Sequence, residues 1–213
     1  KISFNALYDE YPPEIANRFF DTLAIQKGTS KLLLDFTTAL LQVGLGLILL
    51  SLYHPFFILF GIVLLIMLYM IFKFSFDKGL YTSLKESSYK YKVVYWLQEI
   101  ARNKNSFIKK NNFDYALNKN DQLVNNYLNY REKHFNVIQT QFSQLIIYKV
   151  LITAGLLLVG GYLVLDQKMN IGQFVAAEII ILLIINSVEK LIVGLETLYD
   201  VLTAVEKIGM VTD

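Results

Sequence analysis

Three glutamates in one apolar run are the residues whose type and spacing promise chemistry. Glu178, Glu189 and Glu196 are separated by eleven and seven residues. On a helix turning ~100° per residue they fall within about 20° of one line. Carboxylates aligned in this way among isoleucines and leucines do not face lipid, so the spacing predicts an aqueous cavity, a cation or a basic partner such as Lys149. Glu196 falls beyond the apolar stretch, which leaves Glu178 and Glu189 inside it. Lys149 lies about one turn inside a second apolar run, where snorkelling of its ammonium competes with contact to a bound substrate. Asp35 and Gln42, seven residues apart, share one face of a third run, a placement that turns polar groups toward other helices. His54, in a turn, reads as an interfacial side chain rather than a metal ligand or proton relay.

The elements that must hold these groups are four nearly uncharged runs, residues 32–53, 56–72, 145–165 and 171–193. As helices rising ~1.5 Å per residue they match a hydrocarbon core of ~30 Å. The chain has 213 residues, 54% of them hydrophobic. Helices apolar nearly all round have no polar face to give water, whereas lipid accepts closed helices and rejects open strands. The fold class expected is therefore all-α, a polytopic membrane helical bundle with long cytoplasmic helix extensions. Lys and Arg fix the orientation: four precede residue 32, none lies in the turn at residues 53–55, twelve lie in residues 73–142, and one, Lys168, lies in the second turn. By the positive-inside rule residues 1–31 and 73–142 are cytoplasmic and both tight turns external.

Residues 73–142 form a polar connection too long to lack structure, and it has no proline and a single glycine, Gly79. A stripe of Phe76, Leu80, Leu84 and Tyr91 carries the second run's helix onward, by ~30 Å for about twenty residues. A returning helix shows the same spacing at Phe113, Leu117, Val124, Leu128, Phe135, Ile138 and Phe142, interrupted by Asn120 and Arg131. Between the two, residues 92–101 make a short amphipathic tip ending near Asn103 and holding the only tryptophan, Trp96. Trp96 and its neighbour Tyr95 read equally as buried packing or as a protein-binding site. Upstream, Pro13 and Glu14 suit the first turn of an amphipathic helix running into the first span; a helix lying on the membrane surface is the alternative.

No phosphate-binding glycine loop, nucleophile with a base, or metal-ligand cluster occurs, and the chain has two histidines and no cysteine. An intrinsic catalytic site and a bound metal are thus not expected. Basic residues gather only where topology explains them, so nucleic acid is not indicated. The chain opens at Lys1 with no signal-peptide core and reads as a piece of a longer protein.

This layout resembles the transmembrane domain of ATP-binding cassette exporters, whose six helices extend into the cytoplasm and contact nucleotide-binding domains through two coupling helices. The chain is similar to the last four of those six, over essentially all its length. Residues 1–31 correspond to the first intracellular loop, 32–72 and 143–204 to membrane hairpins, 73–142 to the second intracellular extension, and 205–213 to an exit toward a nucleotide-binding domain. The family's first loop often reads G-E-x-x-S-R-F-x-D-x-x-x-I. Here Pro13, Glu14, Asn17, Arg18, Phe19, Asp21 and Ile25 stand in those places, with Pro13 for glycine and Asn17 for serine. Glu99 and Asn103 resemble the glutamate and glycine of the second loop, which places the second coupling helix at residues 91–98. Ala204 to Ile208 resembles A-x-x-R-I, with Lys207 for arginine.

The resemblance implies that Pro13, Glu14, Arg18, Tyr95, Trp96 and Glu99 couple to a nucleotide-binding domain, while Lys149, Glu178 and Glu189 line the substrate pathway. It further implies a dimer of two transmembrane domains, an exported substrate, ATP and Mg held by the nucleotide-binding domain, and a bacterial cytoplasmic membrane. Carboxylates in the pathway favour a cationic or amphipathic cargo. A four-span channel or proton-coupled carrier would use the glutamates but not the long extension; a membrane scaffold would use the extension but not the glutamates.

Overall fold

After Pro55 the chain contains no proline, so helices run until a capping sequence stops them. The computed structural model describes residues 19–107 and 110–212. The order is α1 (Phe19–Tyr53), α2 (Phe56–Arg102), α3 (Lys104–Phe107), α4 (Lys110–Leu165) and α5 (Ile171–Thr212), with no strand among the described residues. The expected all-α class is what is found. α2 and α4 contain 47 and 56 residues, hence about 70 and 84 Å of unbroken helix. Each of the four long helices contains a stretch long and apolar enough to cross a membrane. The chain is a membrane protein.

The stops are local chemistry. His54 Nδ1 accepts the Phe56 N–H at 3.1 Å, and the Phe57 N–H reaches the His54 carbonyl at 2.9 Å. The histidine expected at the interface is thus the cap of α2, with Pro55 at the position where a missing N–H costs nothing. At the end of α4 the Lys168 N–H bonds the Leu163 carbonyl and the Gln167 N–H the Val164 carbonyl, the paired bonds of a Schellman motif. Its left-handed residue is Gln167, with φ of 56°, where glycine is usual. Three residues on, a reciprocal box opens α5: Asn170 Oδ1 accepts the Gln173 N–H at 2.7 Å and Gln173 Oε1 the Asn170 N–H at 3.0 Å.

The long helices contribute to two compact units. The first comprises Thr29–Phe76 and Gln139–Leu198. Its core is apolar, with Leu50, Phe57, Leu64, Leu145, Leu156, Ile181, Ile184 and Val188 essentially sealed. α5 approaches α1 closely: a methyl built on Gly194 would stand 2.6 Å from the Phe36 ring. The outside of this unit is as apolar as the inside, with Leu34 73%, Leu52 77% and Leu158 75% exposed. A water-soluble unit does not present such a surface, whereas lipid solvates it.

The second unit comprises the described parts of Lys1–Gly28, Asp77–Ile138 and Tyr199–Asp213. Its closest contacts use small and hydroxyl side chains. Gly79 lies directly against the Tyr199 ring, leaving no room for a side chain. Ser83 Oγ and Thr203 Oγ1 share a 2.9 Å hydrogen bond, Thr82 Oγ1 lies 2.9 Å from His134 Nδ1, and the Tyr91 hydroxyl donates to Asp21 Oδ2 at 2.5 Å.

Three expectations need correction. Of the stripe on α2, Tyr91 is buried but Phe76, Leu80 and Leu84 are only half-buried; the sealed positions are Gly79, Thr82, Ser83 and Ser87. On α4 five of the stripe's seven residues, Phe113, Leu117, Leu128, Phe135 and Phe142, are exposed and Val124 and Ile138 are half-buried, while His134, Gln141, Leu145 and Tyr148 pack inward. Periodicity marked an apolar face of the helix, but the packed face lies about 100° away, one residue in register. The tip expected at residues 92–101 is not a separate segment, because α2 continues unbroken to Arg102. The break comes at Asn103, which is not left-handed; its amide instead donates to Glu99 Oε2 at 3.1 Å.

Candidate functional site

On α5 the three glutamates meet three different surroundings. Glu189 is half-buried, and its Oε2 receives the Lys149 ammonium of α4 at 2.7 Å. Of the options open to Lys149 in the sequence, pairing to this carboxylate is the one observed, in place of snorkelling. Both side chains keep about a third of their surface open, 33% for Lys149 and 38% for Glu189, so the pair can be reached rather than being sealed. Glu178, about 16 Å away along the helix, is half-buried and makes no hydrogen bond or ion pair with a described residue. Glu196 is exposed. The three therefore do not converge on one ligand, and among the described residues no cluster of His, Asp and Glu could hold a metal ion.

Near the pair on α5, Ser187 is 1% exposed, and its one hydroxyl proton is shared between Gln42 Oε1 of α1 at 2.7 Å and the Leu183 carbonyl at 2.9 Å. This cross-link explains why Gln42 lies in an apolar run, and its polar partner on α5 escaped the sequence reading. Asp35, on the same face as Gln42, is half-buried. An interhelical serine bond and a lysine–glutamate pair, with a Ser75–Gln144 hydrogen bond at 3.2 Å, are polar contacts of this unit among apolar ones.

The tip is built around Trp96. Its Nε1–H donates to the Ala116 carbonyl at 3.1 Å, Phe107 and Tyr115 meet its ring edge-on, and the Lys119 ammonium lies 4.1 Å from the ring centre. Trp96 is 7% exposed, so of its two readings buried packing describes it. Tyr95, 38% exposed, and Leu97, 50% exposed, are the open side chains beside it, and Glu99 is half-buried with Asn103 as its partner. Pro13, Glu14 and Arg18 lie outside the described residues.

A cavity that the sequence did not announce opens in the second unit, with a volume of about 240 Å³ between the start of α1, the middle of α2 and the end of α5. Asp21, Glu86 and Asp200 bring carboxylates to its wall, Ser83, Ser87 and Thr203 bring hydroxyls, and Lys90 brings one ammonium. Glu86 also takes Arg131 Nη1 at 3.1 Å. The Tyr127 hydroxyl at 3.1 Å, followed by the charge of Glu86, raises the Arg131 pKa above its ordinary value. The only trace of the cavity in sequence is the run of hydroxyls at Thr82, Ser83 and Ser87 on a helix otherwise rich in lysine and tyrosine.

Among the described residues none of these places joins a nucleophile to a base. No family model matches the chain, and no curated protein is significantly similar to it.

Proposed function

We propose that this chain is the membrane-spanning part of an ATP-driven exporter of the ATP-binding cassette type, working as one of two copies in a bacterial cytoplasmic membrane. The observation that carries the reading is helix continuity: α2 leaves its apolar stretch and continues to Arg102 before a break, and α4 returns without interruption to Leu165. Long helices without hinges carry a movement at one end to the other, as alternating access requires. In this proposal residues 73–142 are the cytoplasmic extension, and the chain at Glu14, Arg18, Tyr95, Trp96 and Glu99 meets a nucleotide-binding domain. That domain, in the same or another polypeptide, holds ATP and Mg. The break at residues 103–107, rather than residues 91–98, is the better place for the coupling element of this loop, with Trp96 as the buttress beneath it.

The apolar stripe that α4 leaves exposed at Phe113, Leu117, Leu128 and Phe135 supports a second copy as the partner that covers it. Lys149, Glu178 and Glu189 are proposed to line the pathway, with the accessible Lys149–Glu189 pair opening as a cationic cargo takes the lysine's place. The decisive experiment reconstitutes the natural full-length protein with any ATPase that co-purifies, and measures ATP hydrolysis and cargo efflux for wild type and for Glu14→Ala with Trp96→Ala. Hydrolysis that persists while efflux falls supports coupling at the tip. If no ATPase is encoded or co-purified, and flux proceeds without ATP, the chain is a carrier or channel and the exporter reading falls.

A further inference from the structure

The second unit's cavity has the chemistry of a ligand site independent of any membrane pathway. Among the described residues its wall carries three carboxylates and one ammonium, and the Arg131 guanidinium bonds Glu86 as well, which leaves one net negative charge at neutral pH. Anions are therefore repelled. A bare metal ion fits poorly as well, because ions need ligands converging within ~2–2.6 Å of one point and no such cluster exists among the described residues. The carboxylates are distributed round a space of about 240 Å³, an arrangement that suits a cation whose charges are themselves spaced apart.

The hydroxyls point the same way. Ser87 is 8% exposed, lines the cavity, and has no hydrogen bond to any described residue. Helical serines ordinarily turn back to bond the carbonyl one turn earlier; Ser87 does not, and its oxygen is open to the cavity rather than sealed. An occupant would supply the missing bond. Ser83 and Thr203 bond to each other at 2.9 Å and keep further lone pairs for a donor. A primary ammonium has three N–H donors and no acceptor, so one carboxylate and two hydroxyls satisfy it. The remaining lining, Ala24 and Ala204, offers methyl surface to a short polymethylene chain.

We infer that the cavity bounded by Asp21, Glu86, Ser87 and Thr203 binds a linear aliphatic di- or triamine. Glu86 and Asp21 receive separate ammonium groups, and Ser87 accepts from one of them. Asp21 is held in place for this by the Tyr91 hydroxyl, and Lys90 marks the end of the cavity where a further positive charge is excluded. The site stands whether or not the exporter reading does, since it lies wholly within the second unit and its test involves no ATP.

The test is isothermal titration of the full chain, in nanodiscs of zwitterionic lipid, with spermidine, putrescine and Mg²⁺ in turn. Spermidine is expected to bind saturably and at least tenfold more tightly than Mg²⁺. Ser87→Ala is expected to weaken spermidine binding by about 3–10-fold, the worth of one hydrogen bond, without lowering the melting temperature, because it removes no bond to a described residue. Glu86→Gln is expected to weaken binding more. Absence of saturable binding overturns the proposal, as does Mg²⁺ binding as tightly as spermidine, or spermidine binding Ser87→Ala as well as wild type. Should Glu86→Gln fail to fold, Ser87→Ala alone decides.

Discussion

In residues 29–76 and 139–198 the helices meet through Leu50, Leu64, Ile184 and Val188, whereas in residues 77–138 and 199–212 they meet through Thr82, Ser83, His134, Tyr91 and Asp21. The same helices change their means of attachment along their length. Apolar packing tolerates some sliding, because one methyl contact replaces another at small cost. Hydrogen-bonded pairs fix a single register, because an unmatched buried polar group costs about 1–3 kcal/mol. The first unit is thus apolar outside and fitted mainly by shape inside, with polar links such as Gln42–Ser187 and Lys149–Glu189 set into it; in the second, hydrogen-bonded pairs carry more of the attachment.

The comparison breaks most sharply at Gly79. Placing Val there drives methyls into the Tyr199 ring, and overpacking of this kind costs about 1–3 kcal/mol. Hydrogen exchange is expected to show lost protection at residues 77–91 and 199–204 while residues 139–198 stay protected; equal loss throughout would show that the two parts are held by one kind of packing. Next in size is Lys149→Met, which strands Glu189. A sealed pair would lose about 3–5 kcal/mol; with both partners a third open about 1–2 kcal/mol is expected in a thermal melt. Lys149→Met with Glu189→Gln should recover most of it, and no recovery would mean that the charges act separately.

Thr82→Val removes the hydroxyl that meets His134 Nδ1 as well as the Lys78 and Gly79 carbonyls and should cost about 1 kcal/mol, with the volume nearly kept. The smallest effect lies at the turn. The Asp166 carboxylate, by hydrogen bond first and charge second, raises the Lys168 pKa. What stability this adds is present below lysine's ordinary value and is lost as pH rises through the raised one. Asp166→Asn should shift the Lys168 titration downward by NMR, with only a small drop in melting temperature at neutral pH because both side chains are exposed.

Much of the fold was legible because helix stops are written locally. Tyr53-His54-Pro55 and Asp166 to Asn170 are short polar interruptions in apolar sequence, and the caps found there use those residues. Which face each helix packs was not legible. In the polar-rich second unit hydropathy ranks Phe135 above His134, yet the buried residue is His134, because its ring finds a partner in Thr82. The Lys149–Glu189 pair was one of three options that charge in an apolar run leaves open, and geometry selected it. The cavity was invisible for another reason: Asp21, Glu86 and Asp200 come from three distant parts of the chain, and nothing local to any of them signals the others.

Trp96 is the only tryptophan, and it lies clamped between Ala116, Phe107, Tyr115 and the Lys119 ammonium. Its emission is therefore a single-site optical signal. A denaturation curve followed by tryptophan fluorescence reports release of that clamp and is silent about the four apolar stretches. A sample judged unfolded by its emission can retain its full far-ultraviolet helix signal. Comparing the two curves in one titration is the simplest way to see whether the tip lets go before the bundle does.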